Sequence, residues 1–294
     1  MSRFASACLL AGMMTAASVG TAVAAEDTDR YAWLEDVTGD KPLSWVKEQN
    51  AKSEARLAQT PAFKQMESSI REVLDSDAKI PGVQKIGDYY YNFWKDKQHE
   101  RGLWRRTTLA EYRKASPTWE TVLDLDALNK AENENWVWHG ADCLRPDYSR
   151  CLIALSRGGA DADVTREFDL TSKSWIKDGF FRPESKGGLS WIDRDTVFVY
   201  TDFGSGSMTT SGYPRVAKLW KRGTPMSAAS LVYEGKPEDM YIAAMHDDTP
   251  GFERNLVSRT LAFYNNEIYL RGDDGKLTRI DAPNSAEKGL HKQW

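Results

Sequence analysis

The sequence predicts an all-β fold behind a short helical segment, and three observations carry that expectation. Eleven Trp, twelve Tyr and ten Phe in 294 residues favour pleated, half-buried surfaces. From Val83 onward, short apolar and aromatic runs alternate with polar loops, the pattern of strands and not of helical stripes. Few of the gaps between runs carry the apolar spacing of a crossover helix, so an antiparallel arrangement is expected.

Composition sets the outer limits. At 41% apolar and 28% charged, the chain has enough apolar material to bury a large core. The net charge of −4, with Lys and Arg scattered among acids, gives no basic stripe to neutralise phosphates and argues against a nucleic-acid partner.

Residues 1–25 read as a secretory signal peptide. Arg3 supplies the positive start, Ala5 to Val19 the apolar stretch, and Ala22-Val23-Ala24 before Ala25 the small-residue cleavage sites. The stretch is shorter than the ~20 residues that span a bilayer, so no membrane anchor is expected once the signal is removed. Cys8 leaves with the signal, and the mature chain is expected in the periplasm or outside the cell.

Residues 26–80 form the expected N-terminal helical segment. Asp40 is placed to cap a helix from Lys41 to about Leu57, with Pro42 tolerated in its first turn. Thr60 is placed to cap a second helix, opened by Pro61 and marked by Phe63, Met66, Ile70, Val73 and Leu74 at helical spacing through Asp75.

Residues 81–294 carry the strand pattern. Candidate strands are Tyr89–Trp94, Leu103–Thr107, Thr121–Leu125, Trp136–His139, Cys151–Leu155, Arg166–Leu170, Thr196–Thr201, Ala217–Lys221, Leu231–Glu234, Glu267–Leu270 and Leu277–Asp281. A weak repeat runs through them, in segments around Leu103, Phe168, Leu219 and Leu277. Its intervals of roughly 50–65 residues suit four-stranded propeller blades with loop insertions. The spacing thus predicts a partial β-propeller of about four blades; an irregular antiparallel sandwich is the competing architecture.

The search for chemistry returns absences. An α/β-hydrolase nucleophile needs Gly-x-Ser-x-Gly, because glycines relieve crowding at a tight strand-to-helix turn. No Ser here satisfies it: Ser190 has Gly188 before it but Ile192 after it, and Ser207 has Ser205 where Gly is needed. The histidines, His99, His139, His246 and His291, lack the close spacing of a metal site. His246 beside Asp247 and Asp248 could serve acid–base chemistry or simply occupy a polar loop. Gly158-Gly159, Gly187-Gly188 and Asp273-Asp274-Gly275 read as hairpin turns, since none opens a helix to cradle a phosphate. Trp104, Trp191 and Trp220 are expected in packing between blades, with a central tunnel lining as the alternative. No catalytic residue, cofactor site or metal site is therefore assigned. Cys143 and Cys151 flank the turn-like Arg145-Pro146-Asp147-Tyr148 and could form a disulfide in an oxidising compartment, or remain two buried thiols.

The opening Tyr31-Ala32-Trp33-Leu34-Glu35-Asp36, followed by Trp45-Val46-Lys47-Glu48-Gln49-Asn50, resembles the N-terminus of the prolyl oligopeptidase family. Similar resemblances lie in 202–208, Ser211-Gly212-Tyr213-Pro214-Arg215, 219–225 and 246–254, and together they extend from about Tyr31 to Trp294. The resemblance implies a seven-bladed propeller followed by an α/β-hydrolase domain with a Ser nucleophile, an Asp and a His. It also implies cleavage of short peptides after proline, with the propeller restricting access. The chain ends at Trp294 after about four blade-like units, so about three blades and the hydrolase domain are expected to be absent. On that expectation it is the exported front part of a serine peptidase, inactive alone, whose partners are short proline-containing peptides once a hydrolase domain completes it. A stand-alone periplasmic binding module is the alternative, although an arc of blades would leave apolar faces uncovered. A sugar- or lactone-acting propeller enzyme ranks last, for want of a convergent carboxylate set.

Overall fold

A computed structural model of the chain describes residues 29–76 and 78–289. The expected signal peptide with Cys8, and His291, lie outside the described residues. The chain divides into two compact units, Met1–Ile70 and Arg71–Trp294.

In the first unit a 3-10 turn (Ala32–Glu35) precedes helix α1 (Asp40–Leu57). Trp33 and Trp45, both from the opening motif, meet edge-on with centroids 6.1 Å apart. Gly39, not Asp40, occupies the cap position of α1, and no side chain caps it. Asp40 instead stands in the first turn, where its carboxylate complements the positive end of the helix dipole. Helix α2 (Pro61–Asp75), whose last turns belong to the second unit, begins as expected, with the Phe63 N–H donating to Thr60 Oγ1 at 3.2 Å. Its apolar stripe of Phe63, Met66, Ile70, Val73 and Leu74 is exposed.

The second unit is built of four antiparallel sheets of consecutive strands. The first holds β1 (Gln84–Ile86), β2 (Tyr89–Trp94), β3 (Leu103–Thr107) and β4 (Glu120–Asp124), with helix α3 (Leu109–Tyr112) between the last two. Helix α4 (Leu125–Glu132) leads to the second sheet: β5 (Trp136–Cys143), β6 (Arg150–Arg157), β7 (Asp163–Asp169), and an outer edge split between β8 (Ser174–Trp175) and β9 (Phe181–Ser185). The third holds β10 (Gly188–Asp193), β11 (Thr196–Tyr200), β12 (Val216–Lys221) and β13 (Ser230–Glu234). The fourth holds β14 (Tyr241–Asp247), β15 (Arg254–Ala262), β16 (Asn265–Arg271) and β17 (Leu277–Arg279). Four sheets of this kind, each an up-and-down meander, are the blades the repeat predicted.

Helix α4 was not expected, because Leu125 reads as the end of a strand. Asp124 caps it, its Oδ1 accepting from Ala127 N–H at 2.9 Å, and Asn133 ends it in the left-handed conformation. The repeat also needs a correction in its last unit. Leu103, Phe168 and Leu219 each lie on the third strand of a sheet, whereas Leu277 lies on the fourth strand of its own.

The core lies between the sheets. Tyr91, Trp104 and Leu123 of the first sheet pack on Trp136, Cys151, Ile153, Leu155 and Phe168 of the second. Leu152, pointing to the other side of β6, joins Leu189, Trp191, Val197, Val199 and Trp220 of the third. Phe198, opposite to its neighbours on β11, meets Ile242, Ala244 and Val257 of the fourth. The middle sheets are thus covered on both faces, which is why Cys151–Leu155 and Val197–Val199 are continuous apolar runs rather than alternating ones. Each of Val197, Phe198 and Val199 is fully buried, contributing about 1.5–3 kcal/mol relative to exposure.

Candidate functional site

The first strand of each sheet is its edge strand, and those edges are brought side by side. Trp191 Nε1 of β10 donates to the Asp142 carbonyl of β5 at 3.0 Å, and the His246 N–H of β14 donates to Ser190 Oγ of β10 at 3.3 Å. A wall of converging first strands is the place where a propeller presents side chains to its central channel.

At one end of the wall, Arg145 of the β5–β6 turn pairs with Asp248 after β14 at 3.5 Å, linking the second sheet to the fourth. Asp142 keeps an exposed edge there. Protein packed around its carboxyl raises its pKa first, and the Asp248 carboxylate adds to the rise. Burial alone would also raise Asp247, but hydrogen bonds from Thr249 and Arg254 outweigh it and hold the carboxyl below its ordinary range.

His246 does not form an acid–base pair with its acidic neighbours. Its Nδ1 faces Asn255 Oδ1 at 3.0 Å, while Asp247 is tied to Arg254 at 2.9 Å. Successive residues of a strand point to opposite faces, so adjacency in sequence separates these two groups in space. The Ser207 hydroxyl is likewise engaged in its own turn, 2.9 Å from Asp202 Oδ1 and 2.6 Å from the Gly204 carbonyl.

Strand pairing assembles a second cluster along the wall, one with no local signature in the sequence. His139 Nδ1 on β5 lies 3.1 Å from Asp163 Oδ2 on β7, and the other carboxylate oxygen of Asp163 meets the Arg182 guanidinium. Arg182 is wholly buried and also donates to Thr165 Oγ1 at 3.0 Å and to the Ser185 carbonyl at 2.8 Å. Burial lowers its pKa, with Asp163 opposing that shift. A cavity of about 280 Å³ between the second and third sheets is bordered by His139, Asp142 and Asp163. The His139–Asp163 pair lacks a nucleophile: among the described residues no hydroxyl is hydrogen-bonded to a histidine ring. Among the described residues, too, no group of three His, Cys, Asp or Glu could hold a metal ion.

Cys143 and Cys151 are directly paired across β5 and β6, and their sulfurs are joined at 2.04 Å. The disulfide closes the hairpin that carries Arg145 to the end of the wall.

Consecutive antiparallel blades whose first strands line a common wall define a β-propeller fold. The N-terminal beta-propeller domain of prolyl oligopeptidase matches residues 17–251. The chain belongs to the prolyl oligopeptidase family and comprises N-terminal propeller sequence of that family.

Similarity to individual relatives agrees. An uncharacterized peptidase of Sinorhizobium fredii is 37% identical over 244 residues, covering 82% of this chain and 34% of that protein. An uncharacterized peptidase of Rickettsia prowazekii is 31% identical over 277 residues, covering 89% of this chain and 38% of that protein. The structure of a post-proline cleaving enzyme from Rickettsia typhi superposes with a TM-score of 0.79 at 32% identity, over 86% of this chain and 38% of the other. The chain thus spans about a third of the length of the curated relatives it matches.

Proposed function

We propose that these residues form the access-restricting propeller portion of an exported serine peptidase that cleaves short peptides after proline, and that they are inactive alone. Family membership supports the reaction class. The single observation that carries inactivity is the composition of the wall: its histidines face Asn255 and Asp163, and no serine stands in Gly-x-Ser-x-Gly. The wall offers polar and charged side chains to a passing peptide, the property a gate needs.

Incubating the purified chain with a Gly-Pro-linked chromogenic peptide is expected to give no hydrolysis above a buffer control. Turnover abolished by a serine-directed inhibitor would overturn this reading. Export is read separately: the periplasmic fraction of an expressing bacterium is expected to contain a chain whose N-terminal sequence begins near Glu26. Retention of Met1 in a cytoplasmic product would remove the exported part of the proposal.

A further inference from the structure

A cavity of about 550 Å³ lies between the first and second sheets, beside edge strands β1 and β5. Four rings are among its apolar lining residues, two of them, Tyr91 and Trp104, almost wholly buried. Phe93 and Trp138 are stacked with centroids 5.0 Å apart and planes 8° from parallel; Trp104 lies 5.3 Å from Trp138, and Tyr91 lies 5.3 Å from Trp104. Gln84 and Asn92 also border it, the Asn92 Oδ1 accepting from Arg105 Nε at 3.0 Å. The opening owes its shape to a β-bulge at Trp138 and Gly140, which re-aims the strand. Gly140 sits at φ 129°, and a Cβ there would meet nothing within 4 Å, so the space beside it is free.

Charge separates this cavity from three other clefts of the second unit. Arg157, Arg166, Glu167 and Lys177 border the cleft at the outer edge of the second sheet. Asp142 and Asp163 border the one between the second and third sheets, and Glu253, Arg254, Arg271 and Asp273 the one on the fourth. The aromatic cavity has no residue that is ionised at neutral pH. Its complement is an uncharged, apolar group that tolerates the loss of its hydration and needs few hydrogen bonds. Proline meets that description: it lacks an N–H, its ring packs on aromatic faces, and it pre-orders the chain in an extended polyproline helix, so little entropy is lost on docking.

We propose that the cavity bordered by Tyr91, Phe93, Trp104 and Trp138 binds a proline-containing segment of the peptide substrate. The inference rests on the reading of the substrate as a proline-containing peptide. It makes the propeller a selective surface as well as a steric gate, holding proline-rich segments near the wall.

The test uses the purified chain and acetyl-(Ala-Pro)4-amide, compared by calorimetric titration with the length-matched peptide in which every Pro is Ala. Saturable binding at least ten-fold tighter for the proline peptide is expected. Trp138→Leu is expected to reduce it at least ten-fold, while Trp175→Leu, at the outer edge of the second sheet, leaves it unchanged. Equal affinity for the two peptides, or equal losses in the two variants, would overturn the proposal. If Trp138→Leu does not fold by circular dichroism, saturation-transfer NMR on the unmodified chain decides. Saturation of the protein's aromatic protons is then expected to reach proline Hγ and Hδ more strongly than alanine methyls, and equal transfer would overturn the proposal. Hydrolysis by the chain alone would sink the reading of an inactive gate and leave this binding difference standing. Equal affinities would do the reverse.

Discussion

Glu167 of the second sheet and Arg222 of the third form a two-pronged ion pair, with N–O distances of 2.8 and 3.0 Å, and the Glu167 side chain is 1% exposed. The same carboxylate accepts the Phe180 N–H at 2.8 Å, so one residue satisfies the backbone of its own sheet and fastens the next. With the Trp191–Asp142 hydrogen bond, this ion pair adds directional contacts to the apolar packing of the two sheets and fixes their registration.

Glu167→Ala is therefore expected to destabilise the fold by about 3–5 kcal/mol, because it leaves the Phe180 N–H without an acceptor and strips Arg222 of its buried partner. Urea unfolding measures the loss. The double variant with Arg222→Ala should lose less than the sum of the two single variants, since the residues share one interaction. Strict additivity would show that the pair contributes nothing jointly.

Gly187 occupies φ 137°, and a Cβ there would stand 2.0 Å from the Tyr200 carbonyl oxygen. A backbone atom cannot swing aside as a side-chain tip can. Gly187→Ala is expected to cost more than about 2 kcal/mol, read as a lowered thermal midpoint. An unchanged midpoint would mean that the turn between the second and third sheets is free to rearrange.

Asp96 supplies a pH dependence. Burial works to raise its carboxyl, but backbone N–H groups of Gln98 and His99 and the Trp94 indole outweigh it and bring the pKa down to about 2. A depressed folded value means that the stabilisation is present above the unfolded value near 4 and is lost as pH falls toward 2. Asp96→Asn should therefore destabilise the chain by about 2 kcal/mol at pH 7, with the difference from the unmodified chain closing between pH 4 and 2. A gap that stays constant over that interval would rule out this carboxylate as its source.

Reduction of the Cys143–Cys151 bridge is expected to lower stability by about 2 kcal/mol through release of a short closed loop. Unfolding with and without dithiothreitol measures it. The Cys143→Ser/Cys151→Ser variant should already sit at the reduced value and ignore the reductant. A reductant effect that persists in this variant would assign it to some other group.

Much of the fold is legible in the residues, for identifiable reasons. Strands such as Tyr89–Trp94 and Leu103–Thr107 have the expected bounds because aromatic and β-branched runs end at loops rich in charge. Other strands escape such reading. β10 contains Gly188, Ser190 and Asp193, and β14 opens Tyr241-Ile242-Ala243-Ala244 before turning polar. Both are edge strands on the wall, where small and polar residues are accommodated, so their composition reports position and not propensity. β9 is hidden by Pro183, which only an outer edge accepts. The candidate site is less legible still. The sequence indicates that no hydrolase elbow is present, but His139, Asp163 and Arg182 come together only through the pairing of β5, β7 and β9. Separations of 24 and 19 residues leave no local signature of that meeting. The adjacency of His246 and Asp247 misleads for the same reason in reverse.

Among the described residues, each blade is assembled from neighbouring strands. Each sheet can therefore close its hydrogen-bond ladder as soon as its own last strand is available, and the next sheet then grows against a finished apolar face. Folding can proceed in the order of synthesis, one hairpin ladder at a time, with loop closures confined within a single blade. A polypeptide emerging N-terminus first would hide each adhesive surface shortly after exposing it, which limits the time during which an unfinished edge can capture a neighbouring molecule.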